Sequence, residues 1–326
     1  MQTTIPETTV AQKIVIVIPA YNEERFIGSV VLKALKFGDT VLVVDDGSSD
    51  ETAEIAAAAG AIVVQHAVNS GKGVALRTAF RKARELGADV VVTLDADGQH
   101  LPEEMAMVAA PVLRGEADIV VGSRYLERTS EVPSHRIWGH AVFNLITNGA
   151  SGVTVTDSQS GYRAFSAKAL TALSFHSNGF SVESEMQFLA RENGLRVAEV
   201  PITIRYRDKP KRNVIVHGLM VLNGILQLIG QHRPLLFFGV PGFISLLVGM
   251  LWGVWVVEIY RMTSTLAIGY ALIAVFLSIV GVLALFTGVM LHSVRGLLLS
   301  LVRPRDSSSD SLIETVDLRS GSQNAN

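Results

Sequence analysis

Two aspartates separated by one alanine, in the run Leu94-Asp95-Ala96-Asp97-Gly98-Gln99-His100, follow directly on the β-branched stretch Val90-Val91-Val92-Thr93. Where extended chain leaves a sheet, residues two apart point the same way, so Asp95 and Asp97 can present their carboxylates together. Like charges so placed are unfavourable unless a cation sits between them. Hard oxygen donors suit Mg²⁺ or Mn²⁺, and such an ion keeps positions that a diphosphate can fill, neutralising charge on a departing group. Gln99 offers a third, neutral oxygen. The simpler alternative is an Asp-rich turn capping the helix near Pro102, because Asp-x-Asp alone is a common pattern.

Pro19-Ala20-Tyr21-Asn22-Glu23 and Val44-Asp45-Asp46-Gly47-Ser48 each follow another short apolar stretch. Together they bring an aromatic ring and several carboxylates to one crevice. Tyr21 can lie against a nucleobase, while Asp46 or Glu23 accepts hydrogen bonds from base or ribose. Turn chemistry accounts for the same residues, with Asn22 and Asp50 as helix caps and Gly47 at a tight bend. Asn69-Ser70-Gly71-Lys72-Gly73 lacks the spacing of a phosphate-cradling Walker loop and reads as a helix-entry turn.

The elements that must hold these clusters are legible from periodicity. Residues 13–19, 40–44, 62–64, 90–94 and 118–121 are short β-branched runs typical of buried strands. Helical spacing fills the gaps, as at Phe26, Ile27, Val30, Val31 and Leu35. This alternation predicts a parallel sheet covered on both faces, and ligands on such sheets bind at the carboxyl ends of strands. Residues 133–194 read as more helical, with a break at 157–163, and two extended pieces follow at 196–200 and 202–206. Residues 213–231 suit a helix lying along a membrane surface, or a helix of the soluble core. Stretches 235–260 and 266–294 each exceed the roughly 20 apolar residues needed to cross a bilayer. His232 and Arg233 before this pair, and Arg295, Arg303 and Arg305 after it, place both flanks in the cytoplasm; Arg261, between the spans, votes the other way. The expected division is a flexible N-terminus (1–12), an α/β domain (13–212), an interfacial amphipathic helix (213–233), a transmembrane hairpin (234–295) and a disordered cytoplasmic tail (296–326).

Composition narrows the function classes. A net charge of −2 leaves no nucleic-acid footprint, and the absence of cysteine excludes disulfides and thiolate metal sites. Residues 1–12 carry no basic region of the kind that opens a signal peptide.

The ordered set Pro-Ala-Tyr-Asn-Glu, Val-Asp-Asp-Gly-Ser, Asn-x-Gly-Lys-Gly, Asp-Ala-Asp-Gly-Gln-His and Gly122-Ser123-Arg124 resembles family 2 glycosyltransferases over about residues 13–215. Within that group it is similar to dolichyl- and polyprenyl-phosphate mannose or glucose synthases. The resemblance implies a GT-A fold (Rossmann-like), a nucleotide-sugar donor such as GDP-mannose or UDP-glucose, a divalent metal, and inversion at the sugar carbon. Pro19, Tyr21, Glu23, Val44 and Asp46 would hold the nucleotide, with Ala96 beside it. Asp95, Asp97 and Gln99 would hold the metal. Arg124 and Arg136 would grip the phosphate of a polyprenyl or dolichyl acceptor, as paired guanidiniums suit; His140 stands where relatives carry a serine. Residues 157–163 match a stretch that shapes the sugar pocket, and Glu185 a recurrent carboxylate. Arg207, with Lys209, Lys211 and Arg212, matches a basic segment over the donor diphosphate, though such a run also suits anionic headgroups. A processive polysaccharide synthase would carry Gln-x-x-Arg-Trp after the core, and Gln231-His232-Arg233-Pro234 does not fit. A soluble or protein acceptor, and a non-catalytic membrane scaffold, are the other readings. The composition is compatible with an oligomer.

Overall fold

The computed structural model describes residues 12–126, 134–177, 181–204 and 214–302, with side chains throughout except at 134–140, 214–218, 221 and 299–302. The N-terminus through residue 11 and the tail from 303 lie outside the described residues. The chain forms two compact units, Met1–His232 and Arg233–Asn326.

The first unit alternates strands and helices: β1 (Ile14–Ala20), α1 (Glu24–Ala34), β2 (Thr40–Asp45), α2 (Thr52–Ala58), β3 (Ile62–Gln65), α3 (Lys72–Glu85), β4 (Val90–Thr93), α4 (Met105–Leu113), β5 (Ile119–Ser123), α5 (Ser134–Ser151), β6 (Arg163–Ser166), α6 (Ala167–Ala172), α7 (Val182–Glu192), β7 (Val197–Pro201) and α8 (Val214–His232). The seven strands form one sheet in the order β3-β2-β1-β4-β6-β5-β7. Side chains alternate across it, as strand geometry requires. Ile16, Ile18, Val41, Val43, Val90 and Val92 pack against α1, α2 and α4. Val15, Val17, Leu42, Val44 and Val91 face α3, α6 and α7. Both faces are covered, as the β-branched runs require.

The expectation of a purely parallel sheet is corrected. β6 lies between β4 and β5 and runs antiparallel to both, pairing Val92 with Ala164 and Val120 with Ala164. This strand falls where the sequence reads as mostly helical. Its four residues hold one bulky apolar side chain, Phe165, and its place is fixed by backbone hydrogen bonds to both neighbours, which local pattern does not report.

α8 packs on α5 and α7, burying Ile225, Leu228 and Ile229 while Leu219 and Met220 stay exposed. His232, at its last turn, donates from Nδ1 to Glu192 at 2.8 Å.

The second unit is a helical hairpin. A π-helical turn (Leu235–Gly239) leads into α9 (Val240–Thr263), which ends at Ser264 in the left-handed region, and α10 (Ile268–Val302) returns. Segments Leu235–Thr263 and Ile268–Leu298 are long and apolar enough to cross a membrane, with mean hydropathy 2.1 and 2.7. The helices touch backbone to backbone: a Cβ on Gly281 would stand 2.5 Å from Leu246 N. Such close approach is how helices associate where no hydrophobic effect separates them from lipid. α10 continues to Val302, so residues 296–302, expected to begin the tail, are helical.

Candidate active site

The carboxyl ends of β1, β2 and β4 converge on one site, and its centre is an ammonium between carboxylates. Asp95 and Asp97 lie just beyond β4, where Thr93 Oγ1 anchors the exit by donating to Gly161 O at 2.8 Å. Lys72, the first residue of α3, places Nζ 2.7 Å from Asp95 Oδ1 and 2.8 Å from Glu183 Oε1. Glu183 comes from the first turn of α7 and is almost wholly buried. Burial opposes the charge on Lys72, but Asp95 and then Glu183 outweigh it and hold its pKa above the ordinary lysine value. Burial likewise disfavours the Asp95 carboxylate, yet Lys72 and His100 pull its pKa down to about 2. For Asp97 burial and the neighbouring charge of Asp95 act together, raising its pKa to about 6.

Hydrogen bonding leaves each of these aspartates one open oxygen among the described residues. Asp95 gives Oδ1 to Lys72, and Asp97 gives Oδ1 to the backbone N–H of Gln99 at 3.0 Å. Their Oδ2 atoms accept none from described residues. His100 Nδ1, 3.8 Å from Asp95 Oδ2, accepts the Asp95 N–H at 3.1 Å and so bears no proton. Burial lowers the His100 pKa to about 4, which makes the ring a neutral prop, packed 5.0 Å from Tyr162. A carboxylate with a raised pKa beside an ionised one, each with a free oxygen, is an arrangement that a divalent cation would relieve. The donor set therefore fits such an ion. Among the described residues no group of three or more His, Asp or Glu side chains is placed to hold a metal, so most of the coordination would fall to the ligand and to neutral oxygens such as Gln99.

Gly161 makes the arrangement possible. A Cβ there would meet Asp95 Oδ1 and Lys72 Nζ, both at 2.8 Å. Gly161→Ala is expected to part the Lys72–Asp95 pair and cut turnover by about 10²-fold while changing donor KM less; steady-state kinetics of the variant checks this.

The loops after β1 and β2 are laced into one wall. Asn22 takes the left-handed conformation, receives Ser49 N on Oδ1 at 2.9 Å and donates its own N–H to Ser48 Oγ at 2.9 Å. It thus joins two loops rather than capping α1. Asp50 serves both helix starts, accepting from Glu24 N at 3.3 Å and Thr52 N at 3.1 Å. Pro19 and Val44 are register partners in adjacent strands, and Ala96 is buried. Tyr21 is 40% exposed, its ring available to a planar ligand. Glu23 lies close enough to raise the Asp97 pKa further.

Asp46 has protein partners that the sequence reading did not foresee. Its carboxylate accepts from Ser70 N at 3.0 Å, Gly71 N at 2.7 Å and pairs with His66 Nδ1 at 2.8 Å. Those partners use most of its acceptor capacity, so Asp46 shapes the pocket by holding the 66–71 loop, and with it Lys72, more than it offers itself to base or ribose.

On the other side of the site Arg124, after β5, is gripped by Asp157. Nε and Nη2 reach Oδ2 and Oδ1 at 2.5 and 2.7 Å, and Asp157 is fully buried. Two donors of the fork expected to face a phosphate are therefore committed within the protein. The loop carrying Asp157 is tied down by α5, where Asn144 accepts from Ser158 N and Oγ and Asn148 donates to Val155 O, and by Glu199, which accepts from Thr156 N. Arg163 braces the same loop, donating to Ser158 O, Ser160 O and Glu183 O. Arg136 sits in the first turn of α5, but its side chain and that of His140 are outside the described residues, as are Arg207, Lys209, Lys211 and Arg212. Glu185 is buried, accepting from His176 N and Ser177 N at 2.7 Å each; it clamps a turn.

Lys72 and Glu183 have no assigned role in the sequence reading, and Asp157 enters it only as part of the 157–163 stretch matched to the sugar pocket. Lys72 had a signal, a lysine opening a helix after a strand. Glu183 had none, because its partners are 88 and 111 residues away in sequence.

Comparison with known proteins agrees with this fold. The family described as "Glycosyl transferase family 2" matches residues 15–173. The UDP-N-acetylglucosamine–dolichyl-phosphate N-acetylglucosaminyltransferase of Methanococcus voltae is 37% identical over 217 residues, covering 60% of this chain and 86% of the relative. The undecaprenyl-phosphate mannosyltransferase of Micrococcus luteus is 34% identical over 214 residues, covering 60% and 85%. Among solved structures, glucosyl-3-phosphoglycerate synthase from Mycobacterium tuberculosis, in complex with Mn²⁺, uridine diphosphate and glucosyl-3-phosphoglycerate, superposes with a TM-score of 0.53 at 27% identity, covering 68% of this chain and 81% of that one.

Proposed function

The chain belongs to glycosyl transferase family 2, and on that premise we propose that it transfers a hexose from a nucleotide sugar to a polyprenyl- or dolichyl-type lipid phosphate, with inversion. The observation that carries the reading is the Asp95/Asp97 pair at the end of β4, each with an open oxygen, beside the wall formed by the loops after β1 and β2. The names of its relatives support the lipid phosphate as acceptor. The two apolar helices support attachment to a membrane, and the flanking arginines support a cytoplasmic catalytic unit. An enzyme so anchored meets a lipid acceptor at high effective concentration.

In this reading an oxygen of the lipid phosphate attacks the anomeric carbon as the bond from that carbon to the nucleoside diphosphate breaks, and the electron pair leaves with the diphosphate. A phosphate monoester is anionic near neutral pH, so no side chain need remove a proton. Pro19, Tyr21, Glu23 and Val44 position the nucleotide, with Ala96 and Asp46 shaping the floor. Asp95, Asp97 and Gln99 would hold Mg²⁺ or Mn²⁺, which when bound supplies positive charge for the leaving diphosphate. Arg207 and Lys211 add positive charge on the donor side. Arg124 and Arg136 orient the acceptor phosphate, and Asp157 fixes Arg124 for that task.

Protons and metal compete for Asp97. With its pKa at about 6, Mn²⁺ affinity is expected to be flat above about pH 7 and to fall about tenfold per unit well below 6. Titration of the metal across pH checks this, and Asp97→Asn should bind Mn²⁺ at no pH in that range.

The donor is tested on membranes containing the full chain, given labelled GDP-mannose, UDP-glucose or UDP-N-acetylglucosamine separately, with the lipid then extracted. One of the three is expected to label the lipid fraction. Label confined to soluble or protein products would replace this acceptor with another.

A further inference from the structure

Lys72 is an unexpected neighbour for a cation site. Its ammonium bridges Asp95 Oδ1 and Glu183 Oε1 at 2.7 and 2.8 Å. Glu183 Oε2 is buried and accepts no hydrogen bond among the described residues, so Lys72 is the cation hydrogen-bonded to this carboxylate, with the buried Arg163 guanidinium as a second positive charge nearby. Asp95 is the more exposed partner, its side chain 34% accessible against 4% for Glu183. Any ion reaching Asp95 finds Oδ2 open and a fixed positive charge already on Oδ1.

We propose that the Lys72–Glu183 pair sets the affinity of Asp95 for the divalent ion. Lys72 repels the incoming charge and holds Asp95 to one-oxygen ligation, so the ion binds the free protein weakly and loads together with a nucleoside diphosphate, whose own negative charge offsets the ammonium. Glu183 tempers the repulsion by sharing that ammonium. This rests on the reading of Asp95 and Asp97 as metal ligands.

The pair makes opposite predictions for its two members, which a merely structural role does not. Mn²⁺ binding to the full-length protein in detergent is followed by the electron paramagnetic resonance of the free ion, without nucleotide. Lys72→Met is expected to bind Mn²⁺ about tenfold tighter than wild type, because a repelling charge a few ångströms away is gone. Glu183→Gln is expected to bind several-fold more weakly, the ammonium then resting on Asp95 alone. Lys72→Arg should stay near wild type. Lys72→Met leaves Glu183 buried without its hydrogen-bonded cation and can misfold, so the double variant Lys72→Met/Glu183→Gln is measured as well; it should bind more tightly than Glu183→Gln. Unchanged or weaker binding in a folded Lys72→Met, or in the double variant relative to Glu183→Gln, overturns the proposal. Asp97→Asn separates the two ideas. Binding lost there but indifferent to Lys72 sinks this inference alone, whereas binding that survives Asp97→Asn removes the metal reading and this inference with it.

Discussion

Asp97→Ala is expected to reduce sugar transfer by about 10³-fold or more while leaving the melting temperature equal to or slightly above that of wild type. The two halves follow from the same local physics. Asp97 gives the fold one hydrogen bond, to Gln99 N, and burial together with the charge of Asp95 raises its pKa to about 6. The folded protein therefore binds a proton at Asp97 more readily than the unfolded chain does. Ionised Asp97 costs stability at neutral pH, and that cost fades as pH falls from about 6 toward the ordinary carboxylate value. A carboxylate retained against its own stability is one that a ligand needs. Radiolabel transfer and thermal melting, run on the same preparation, check both halves; near-normal transfer by this variant in excess chelator would remove the cation from the account.

The second large effect lies at the Arg124–Asp157 pair. Asp157 is fully buried and Arg124 nearly so, with side-chain exposures of 0% and 12%. Removing one partner leaves an uncompensated buried charge, which typically costs about 3 kcal/mol or more. Asp157→Ala is thus expected to lower stability by about that amount and to release Arg124 from its fixed orientation. Arg124→Met combined with Asp157→Leu should recover most of the stability, since a buried pair replaced by apolar groups of similar volume is often neutral, but not the use of lipid phosphate. Denaturant melts together with acceptor KM separate the outcomes. A double variant that regains stability and acceptor use alike would make Arg124 purely structural.

The sheet and its motifs were legible in the sequence because buried parallel strands write themselves as β-branched runs, and because five polar clusters stand in order at strand ends. β6 was not legible: Arg163-Ala164-Phe165-Ser166 has no alternation to show, and only pairing with β4 and β5 makes it a strand. Within the site, Asp95 and Asp97 announced themselves by spacing along one strand exit. Lys72 gave only a local signal and Glu183 none, since the fold alone brings α3 and α7 to Asp95. Asp46 shows a related limit of spacing along the chain. An Asp-Asp-Gly turn reads as ligand chemistry, yet its carboxylate is taken by Ser70 and Gly71 N–H groups some 25 residues on. Spacing along the chain reports what a turn presents, and says little about what a distant loop comes back to claim.

The central claim is transfer to a lipid phosphate, and its most direct test uses purified full-length protein in detergent with the labelled donor that serves membranes best. Polyprenyl phosphate, and the same polyprenol without its phosphate, are offered in parallel. The account predicts label in the organic phase with the phosphate alone, none with the alcohol, and none when Asp97→Ala replaces wild type. Equal labelling of the alcohol, or label that stays on water-soluble or protein acceptors whichever lipid is present, would contradict it.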